Sequence, residues 1–301
     1  EQQELLNIVI VGGGATGIEV AGILSEMKKF VLPNDYPDMP SSLMHIYLIE
    51  AGPRLLAGMS EESSAHAEQF LREMGVNILL NKRVVDYRDH KVVLEDGTEI
   101  ATRTFIWVSG VTGVTIGNLD ASLIGRGGRI KVDSFNRVEG MNNVFAIGDQ
   151  CIQVADEDYP NGHPQLAQVA IQQGELLAKN LVRMEKGREM KPFHYRNLGS
   201  MATVGRNRAV AEFSKVKMQG WFAWVMWLVV HLRSILGVRN KVIVLLNWVW
   251  NYFTYDQSMR MIVYARKAKE IRDREKVEET THWGKELVQE EKNPSITSSS
   301  K

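Results

Sequence analysis

Between Gly12 and Gly17 the chain reads Gly-Gly-Gly-Ala-Thr-Gly, and Gly12, Gly14 and Gly17 fall in the pattern G-x-G-x-x-G. Each of the three has a mechanical task if a pyrophosphate is to rest on the loop. Gly12 permits a tight turn, Gly14 lets backbone approach the phosphates, and Gly17 lets the following helix pack against the preceding strand. Gly13, Ala15 and Thr16 complete a loop that opens a helix, where unpaired N–H groups and partial positive charge favour an anion. Glu50 ends the apolar run IYLIE. A carboxylate there accepts both ribose hydroxyls and repels a 2′-phosphate, so the pair of features expects NADH rather than NADPH. The interval from Gly17 to Glu50 exceeds the roughly 20 residues usual, and the excess lies in the proline-rich LPNDYPDMPSS. The plainer alternative is a glycine turn without a ligand and a surface glutamate. Arg54, just beyond, is expected only to cover the acidic strand end.

Three more side chains invite a chemical reading. Glu19 lies in the first turn of the helix that the glycine loop opens, where a carboxylate is also favoured by the helix dipole alone. Gln168 and Gln172 stand four apart in AQVAIQQG, so on a helix both point the same way. A carboxamide can donate to a carbonyl in an apolar slot without bringing charge there. A solvent-facing glutamine pair is the competing reading. Cys151 is read as a small buried residue, and His45 and His163 as structural rather than as ligands.

These residues need particular elements to hold them. NIVIVG is an apolar run like a strand covered on both faces; GIEVAGILSEMKKF has helical spacing; MHIYLIEAG is a second strand. SEESSAHAEQFLREMG opens with a serine cap and closes at a glycine. NILLN and RVVDYR follow, then KVVLEDGTEI with a hairpin at Asp96-Gly97, then TFIWVSG as another buried strand. The sum is an α/β fold, a small doubly wound domain with an antiparallel hairpin. GRIKVD and NVFAIGDQ are read as strands, followed by a long helix in HPQLAQVAIQQGELLAKNLVRMEKG and a strand-rich piece around SMATVGRNRAVAEF. From Ala265 the chain is a charged helix, and the polar end NPSITSSSK is expected to be disordered.

Composition narrows the classes. The 301 residues carry 36 basic and 36 acidic side chains, so no nucleic-acid partner is indicated. One cysteine rules out an internal disulfide and a cysteine-based metal site; no metal is expected.

The order of the motifs adds a further reading. The glycine loop, the acidic strand end, FIWVSGV with Gly110, NVFAIGD with Gly148-Asp149, and Ala167-Gln168-Val169-Ala170-Ile171-Gln172 together resemble type II NADH dehydrogenases, the single-subunit NADH:quinone oxidoreductases, from about Asn7 to about Val263. The resemblance implies a flavoprotein plan with two dinucleotide-binding domains. Asp149 would bind the ribityl chain of FAD, with Gly148, Gly110, Ala167 and Gln168 lining the cofactor sites. Gln168 and Gln172 would face flavin and quinone, and Glu19 would position NADH or relay a proton. It implies hydride transfer from NADH to FAD and two electrons to a membrane quinone, without proton pumping. The family's first glycine loop, which holds the FAD diphosphate, is absent from this sequence. The expectation is therefore a C-terminal fragment: 1–112 an NADH domain, 113–185 the second half of a FAD domain, 186–270 a C-terminal domain and 271–301 a charged helix and tail. Such a fragment is expected to bind NADH but to be inactive. Two rival readings are a soluble flavin-dependent disulfide reductase and a non-catalytic nucleotide-binding and membrane-docking module.

Two tryptophan-rich stretches bear on that choice. From Trp221 to Leu232 ten of twelve residues are large and apolar, three of them tryptophan, and VIVLLNWVWNYF follows at 242–253. Each is too short to span a bilayer. If helical, the first is apolar on every side, as in a deeply buried or lipid-immersed helix. Arg233, Arg239 and Lys241 lie between the two, a combination that suits the headgroup level of a membrane. The expected location is peripheral, on the cytoplasmic face of an inner membrane. A homodimer interface is the alternative use of such residues, and the resemblance allows both.

Overall fold

A computed structural model describes residues 2–114, 116–214 and 216–254. Two units divide the chain, 1–245 and 246–301.

A short helix, α1 (Gln2–Leu6), leads into β1 (Asn7–Val11) and α2 (Ala15–Glu26). α2 runs on as a π-helical turn, Met27–Val31, and then α3 (Leu32–Asp35). The proline-rich insertion therefore prolongs this helix before the chain returns. The Lys28 ammonium donates to the Met44 carbonyl at 2.6 Å and closes the excursion. Next come β2 (His45–Ile49), α4 (Glu61–Glu73), β3 (Val76–Leu79), β4 (Val84–Arg88), β5 (Lys91–Leu94), β6 (Glu99–Ala101) and β7 (Thr104–Trp107). The parallel sheet has the order β3-β2-β1-β7, and β4-β5-β6 form a separate antiparallel sheet.

Because side chains alternate along a strand, the fully buried β1 serves two cores. Ile8 and Ile10 pack with Ile18 and Ala21 of α2 and Ala67 and Leu71 of α4. Val9 and Val11 pack with Val92, Leu94 and Ile100 of the antiparallel sheet. The expectation of a second strand buried on both faces fails for β7. Among the described residues it has β1 as its one neighbour, and Thr104 and Trp107 are exposed, because an edge strand is covered less well than a central one.

Residues 113–199 are held by little regular pairing. β8 (Ile130–Lys131) and β9 (Cys151–Ile152) pair in parallel over two residues. NVFAIGDQ is not the strand its composition predicts: Phe145 makes one isolated bridge, to Arg137, and Gly148–Gln150 is a 3₁₀ turn. An extended run forms a lasting strand only beside a partner that satisfies its backbone, and here the partner extends over one bridge. α5 (Ala167–Glu185) is the long helix expected, starting at Ala167.

The C-terminal sheet, β10 (Ser200–Gly205), β11 (Arg208–Phe213) and β12 (Val216–Gln219), is antiparallel in that order. It is fused to the nucleotide domain rather than standing apart as a separate core: Ala202, Val204 and Val210 belong to the same apolar cluster as β1, α2 and α4. The contact is backbone-close. A Cβ on Gly22 of α2 would lie 1.6 Å from the Val204 carbonyl oxygen, so only glycine fits there. The other face of the sheet, Ala209 and Ala211, packs on Ala223 and Trp224 of α6 (Gly220–Ser234). α6 thus does not turn its apolar surface outward on every side; one face belongs to the fold. α7 (Val238–Thr254) is the second apolar segment, and the unit division falls within it. Among the described residues no helix is long and apolar enough to cross a membrane. The charged helix expected from Ala265 and the tail lie outside the described residues.

Candidate functional site

The glycine loop is built as its spacing requires. Gly12 has φ +117°, in the region that favours glycine. A Cβ on Gly17 would lie 1.8 Å from the Gly12 carbonyl oxygen, which fixes the first turn of α2 against the strand end. At Gly14 the space around a Cβ is open, and Gly14, Ala15 and Thr16 are exposed. Gly14 also occupies the N-cap of α2 and supplies no side-chain cap.

Glu50 is tied into this loop. One carboxylate oxygen accepts from the Gly13 N–H at 2.6 Å, the other from the Gly52 N–H at 2.7 Å. The half-buried carboxylate therefore has a fixed plane, and each oxygen retains a lone pair for a second donor. Two ribose hydroxyls match that need. Arg54 does not cover the carboxylate as expected from sequence. Its guanidinium donates to the Met59 and Ala57 carbonyls at 2.7 and 2.9 Å and folds the 54–59 loop upon itself.

A second uncapped helix start lies at α5, whose N-cap, Leu166, has no capping side chain. Beside it Gly148 takes φ +66°, and a Cβ there would stand 3.2 Å from the Ala170 Cβ. Its N–H donates to the side-chain amide oxygen of the buried Gln173 at 2.7 Å. This anchors a turn that presents Asp149, which is exposed, as are Ala167 and Gly110. The Asp149 carbonyl accepts from Gln165 at 3.2 Å. An exposed carboxylate on a glycine-dependent turn at an uncapped helix start fits the polyol chain and diphosphate of a dinucleotide. α4 provides the contrast. Its start is closed by Ser60, whose hydroxyl accepts from the Ser63 N–H and donates to Glu212 of β11. Burial pushes the Glu212 carboxyl up, but the bonds from Ser60 and Ser63 outweigh it and hold it below its ordinary value.

The candidate reactive residues contact β10 and the segment that leads into it. Gln168 donates to the Gly199 carbonyl at 3.0 Å and accepts from the Leu198 N–H at 3.1 Å. Gln172 does the same one turn on, with the Arg196 carbonyl at 2.9 Å and the Arg196 N–H at 3.1 Å. The pair shares a face, as its spacing requires, and clips residues 196–199 to α5. Each carboxamide has two N–H groups and uses one of them in this clip. Glu19 accepts from the Thr203 N–H and hydroxyl at 3.5 and 3.4 Å. Gln168 and Glu19 thus stand at the two ends of residues 199–203, about 13 Å of extended chain.

Gln173, Thr203 and Glu212 escape a reading by motif. Gln173 adjoins Gln172, and its one available signal is a polar residue on the buried side of an amphipathic helix. Thr203 and Glu212 act across |i−j| separations of 184 and 152 residues, which no local pattern carries. Cys151 is a buried thiol, as expected, and burial raises its pKa. His163 is buried in a structural bond to Asp156 at 3.0 Å.

The outer face of α6 is apolar and open. Phe222, Met226, Val229 and Val230 are exposed at helical spacing. In α7, Val242, Ile243 and Leu245 are exposed in the first unit, and Leu246, Val249, Trp250 and Phe253 in the second.

Comparison with known proteins agrees with this architecture. Residues 1–174 match the pyridine nucleotide-disulphide oxidoreductase family, and residues 197–255 the NDH2 C-terminal domain. The type II NADH:quinone oxidoreductase NdhA of Mycobacterium tuberculosis is 35% identical over 261 residues, covering 82% of this chain and 54% of that protein. The internal alternative NAD(P)H-ubiquinone oxidoreductase A1 of Arabidopsis thaliana mitochondria is 32% identical over 270 residues, covering 84% and 52%. The chain thus spans about half the length of these curated relatives. NDH2 from Plasmodium falciparum, solved in complex with NADH, superposes with a TM-score of 0.76 at 19% identity, over 84% of this chain and 67% of that one.

Proposed function

Since the chain belongs to the pyridine nucleotide-disulphide oxidoreductase family, we propose that it serves NADH:quinone oxidoreduction of the type II kind. The observation that carries this reading is that two of the helix starts without side-chain caps stand beside both a glycine-dependent turn and a carboxylate, α2 with the glycine loop and Glu50, and α5 with Gly148 and Asp149. Two such anion-receptive termini in one chain suit two dinucleotides, NADH on the first and FAD on the second.

On this reading Gly12, Gly13, Gly14, Ala15, Thr16 and Gly17 form the seat of the NADH diphosphate. Glu50 holds the ribose hydroxyls. Gly148 and Asp149 would hold the FAD ribityl chain, with Gly110, Ala167 and Gln168 lining the cofactor sites. FAD held there would supply the redox chemistry that links NADH to a quinone. The quinone must also gain two protons. Glu19 would position NADH or hold one of them; its two bonds to Thr203 are long and exchange easily for another partner, which supports this reading. The unused N–H of Gln168 and of Gln172 can donate to a quinone carbonyl without adding charge.

The open face of α6 lies on a membrane surface from which the apolar substrate is drawn. Burying half of ten large side chains at about 1.5–3 kcal/mol each gives on the order of 10 kcal/mol before ordering costs. Attachment at the cytoplasmic face of an inner membrane, and a homodimer, belong to the same proposal.

The test is NADH oxidation by a short-chain quinone with FAD and the half of a type II relative that this chain does not span supplied, beside calorimetry of the chain with NADH. Glu19→Gln and Gln168→Leu should reduce quinone turnover while the NADH heat is retained. An absence of NADH heat in the unaltered protein would overturn the nucleotide assignment. Unchanged turnover in both variants would overturn the residue roles.

A further inference from the structure

Residues 191–199 lead into β10 without a strand partner among the described residues. Side-chain carboxamides of α5 hold much of their backbone instead. Asn180 donates to the Lys191 carbonyl at 2.8 Å and accepts from the Lys191 N–H at 2.9 Å. Toward the helix start come the paired bonds of Gln172 to Arg196, and of Gln168 to Leu198 and Gly199. Each carboxamide offers one donor and one acceptor, as a facing residue does in an antiparallel ladder.

Asn180 has no part in the chemistry proposed above. It is 1% exposed and lies about 18 Å along the helix from Gln168. Its partner is fixed by the sequence. The next residue is Pro192, which has no N–H, so the Asn180 oxygen would find no donor there. Phe193 and Tyr195 are buried with Val169 and Leu176 of α5, and their N–H groups donate to the Ser134 carbonyl at 2.7 Å and to Asp156 at 3.1 Å. A slip by one residue would put the exposed His194 in place of one of them. The far end of the segment has an anchor of its own. Gly199 takes φ +108°, and a Cβ there would lie 2.3 Å from the Glu212 carbonyl oxygen.

We propose that Asn180 is a positioning residue: it sets the register of residues 191–199 against α5, and through that register it aims Gln168 and Gln172. The use of those two carboxamides toward a quinone rests on the function proposed above; the register does not. Each glutamine spends one N–H on the segment and keeps the other free. Were the segment to shift, both would lose their backbone partners together, and the free N–H groups would no longer hold a fixed direction.

The test is amide hydrogen exchange of the full 301-residue chain, resolved by residue. N180L should speed exchange about 10-fold or more at Arg196 and Leu198 as well as at Lys191, while the amides of β1 keep their protection. K191P removes the same N–H and leaves α5 intact; it should speed exchange at Arg196 and Leu198 equally. K191A keeps the N–H and should not. Faster exchange at Lys191 alone in N180L, with K191P also leaving Arg196 and Leu198 unchanged, would overturn the proposal and leave Gly199 as the anchor of the register. A uniform rise that includes β1 in both variants would overturn it as general destabilisation. In the quinone assay with the complementing half, N180L should raise the quinone KM several-fold and leave the NADH KM unchanged. Faster exchange at Arg196 and Leu198 with an unchanged quinone KM would overturn the aiming of the glutamines. An absence of quinone turnover in the unaltered, complemented protein would overturn the proposed function and leave the register to the exchange result.

Discussion

Replacing Glu50 with Gln separates two accounts of how the proposed NADH seat would select its nucleotide. If Glu50 acts only through charge, Gln is an isosteric relief of repulsion: NADPH should gain affinity and NADH should change little. The geometry gives a different result. Both carboxylate oxygens accept from backbone, from Gly13 at 2.6 Å and Gly52 at 2.7 Å. A Gln side chain has one acceptor oxygen, so its NH₂ must face one of those two N–H groups in either orientation. One donor is left unpaired against another donor in a half-buried site. That costs about 1–3 kcal/mol, or about 5- to 150-fold in binding, and it loosens the glycine loop that either nucleotide needs. For NADPH the relief of repulsion, about 1 kcal/mol between partly hydrated charges, offsets part of this loss. The expected outcome is NADH binding weaker by about 10- to 100-fold and NADPH binding no tighter than in the unaltered chain. The assay is calorimetry or nucleotide fluorescence with each nucleotide, with thermal unfolding as a control. NADPH tightened tenfold with NADH unchanged would refute the clamp and leave charge as the whole explanation.

Three further outcomes follow from the packing. Gly22→Ala places a methyl 1.6 Å from the Val204 carbonyl oxygen; overpacking of this kind costs about 1–3 kcal/mol and should lower the thermal midpoint by several degrees, whereas Gly14→Ala, in open space, should leave it nearly unchanged. Glu212→Gln should destabilise by about 1 kcal/mol at neutral pH through loss of a charged cap on α4. Because the folded pKa is held below its ordinary value, that contribution is present above the unfolded carboxylate pKa and is lost as pH falls through the folded value, so variant and parent should converge in acid melts. Gln173→Leu strands the Gly148 N–H, should destabilise by about 1–3 kcal/mol, and should speed labelling of the buried Cys151 thiol, whose Sγ lies 3.7 Å from the same Gln173 oxygen.

Local order was legible because it depends on short-range rules. The glycine loop, the all-buried strand before it, the serine cap at Ser60, the Asp96-Gly97 hairpin and the shared face of Gln168 and Gln172 all follow from backbone freedom, alternation or the helical repeat, each complete within a few residues. NVFAIGDQ misled for the complementary reason. Its composition is that of a strand, but a strand requires a partner, and the partner extends over a single bridge. The tertiary structure alone decided where side chains from different segments meet. Thr203 reaches Glu19, Glu212 closes α4, and Gly22 lies against Val204, each across more than 150 residues of chain. It also decided that α6 rests one face on Ala209 and Ala211 and leaves the other open. Hydropathy measures how apolar a segment is; which side finds a partner depends on what the rest of the chain brings against it.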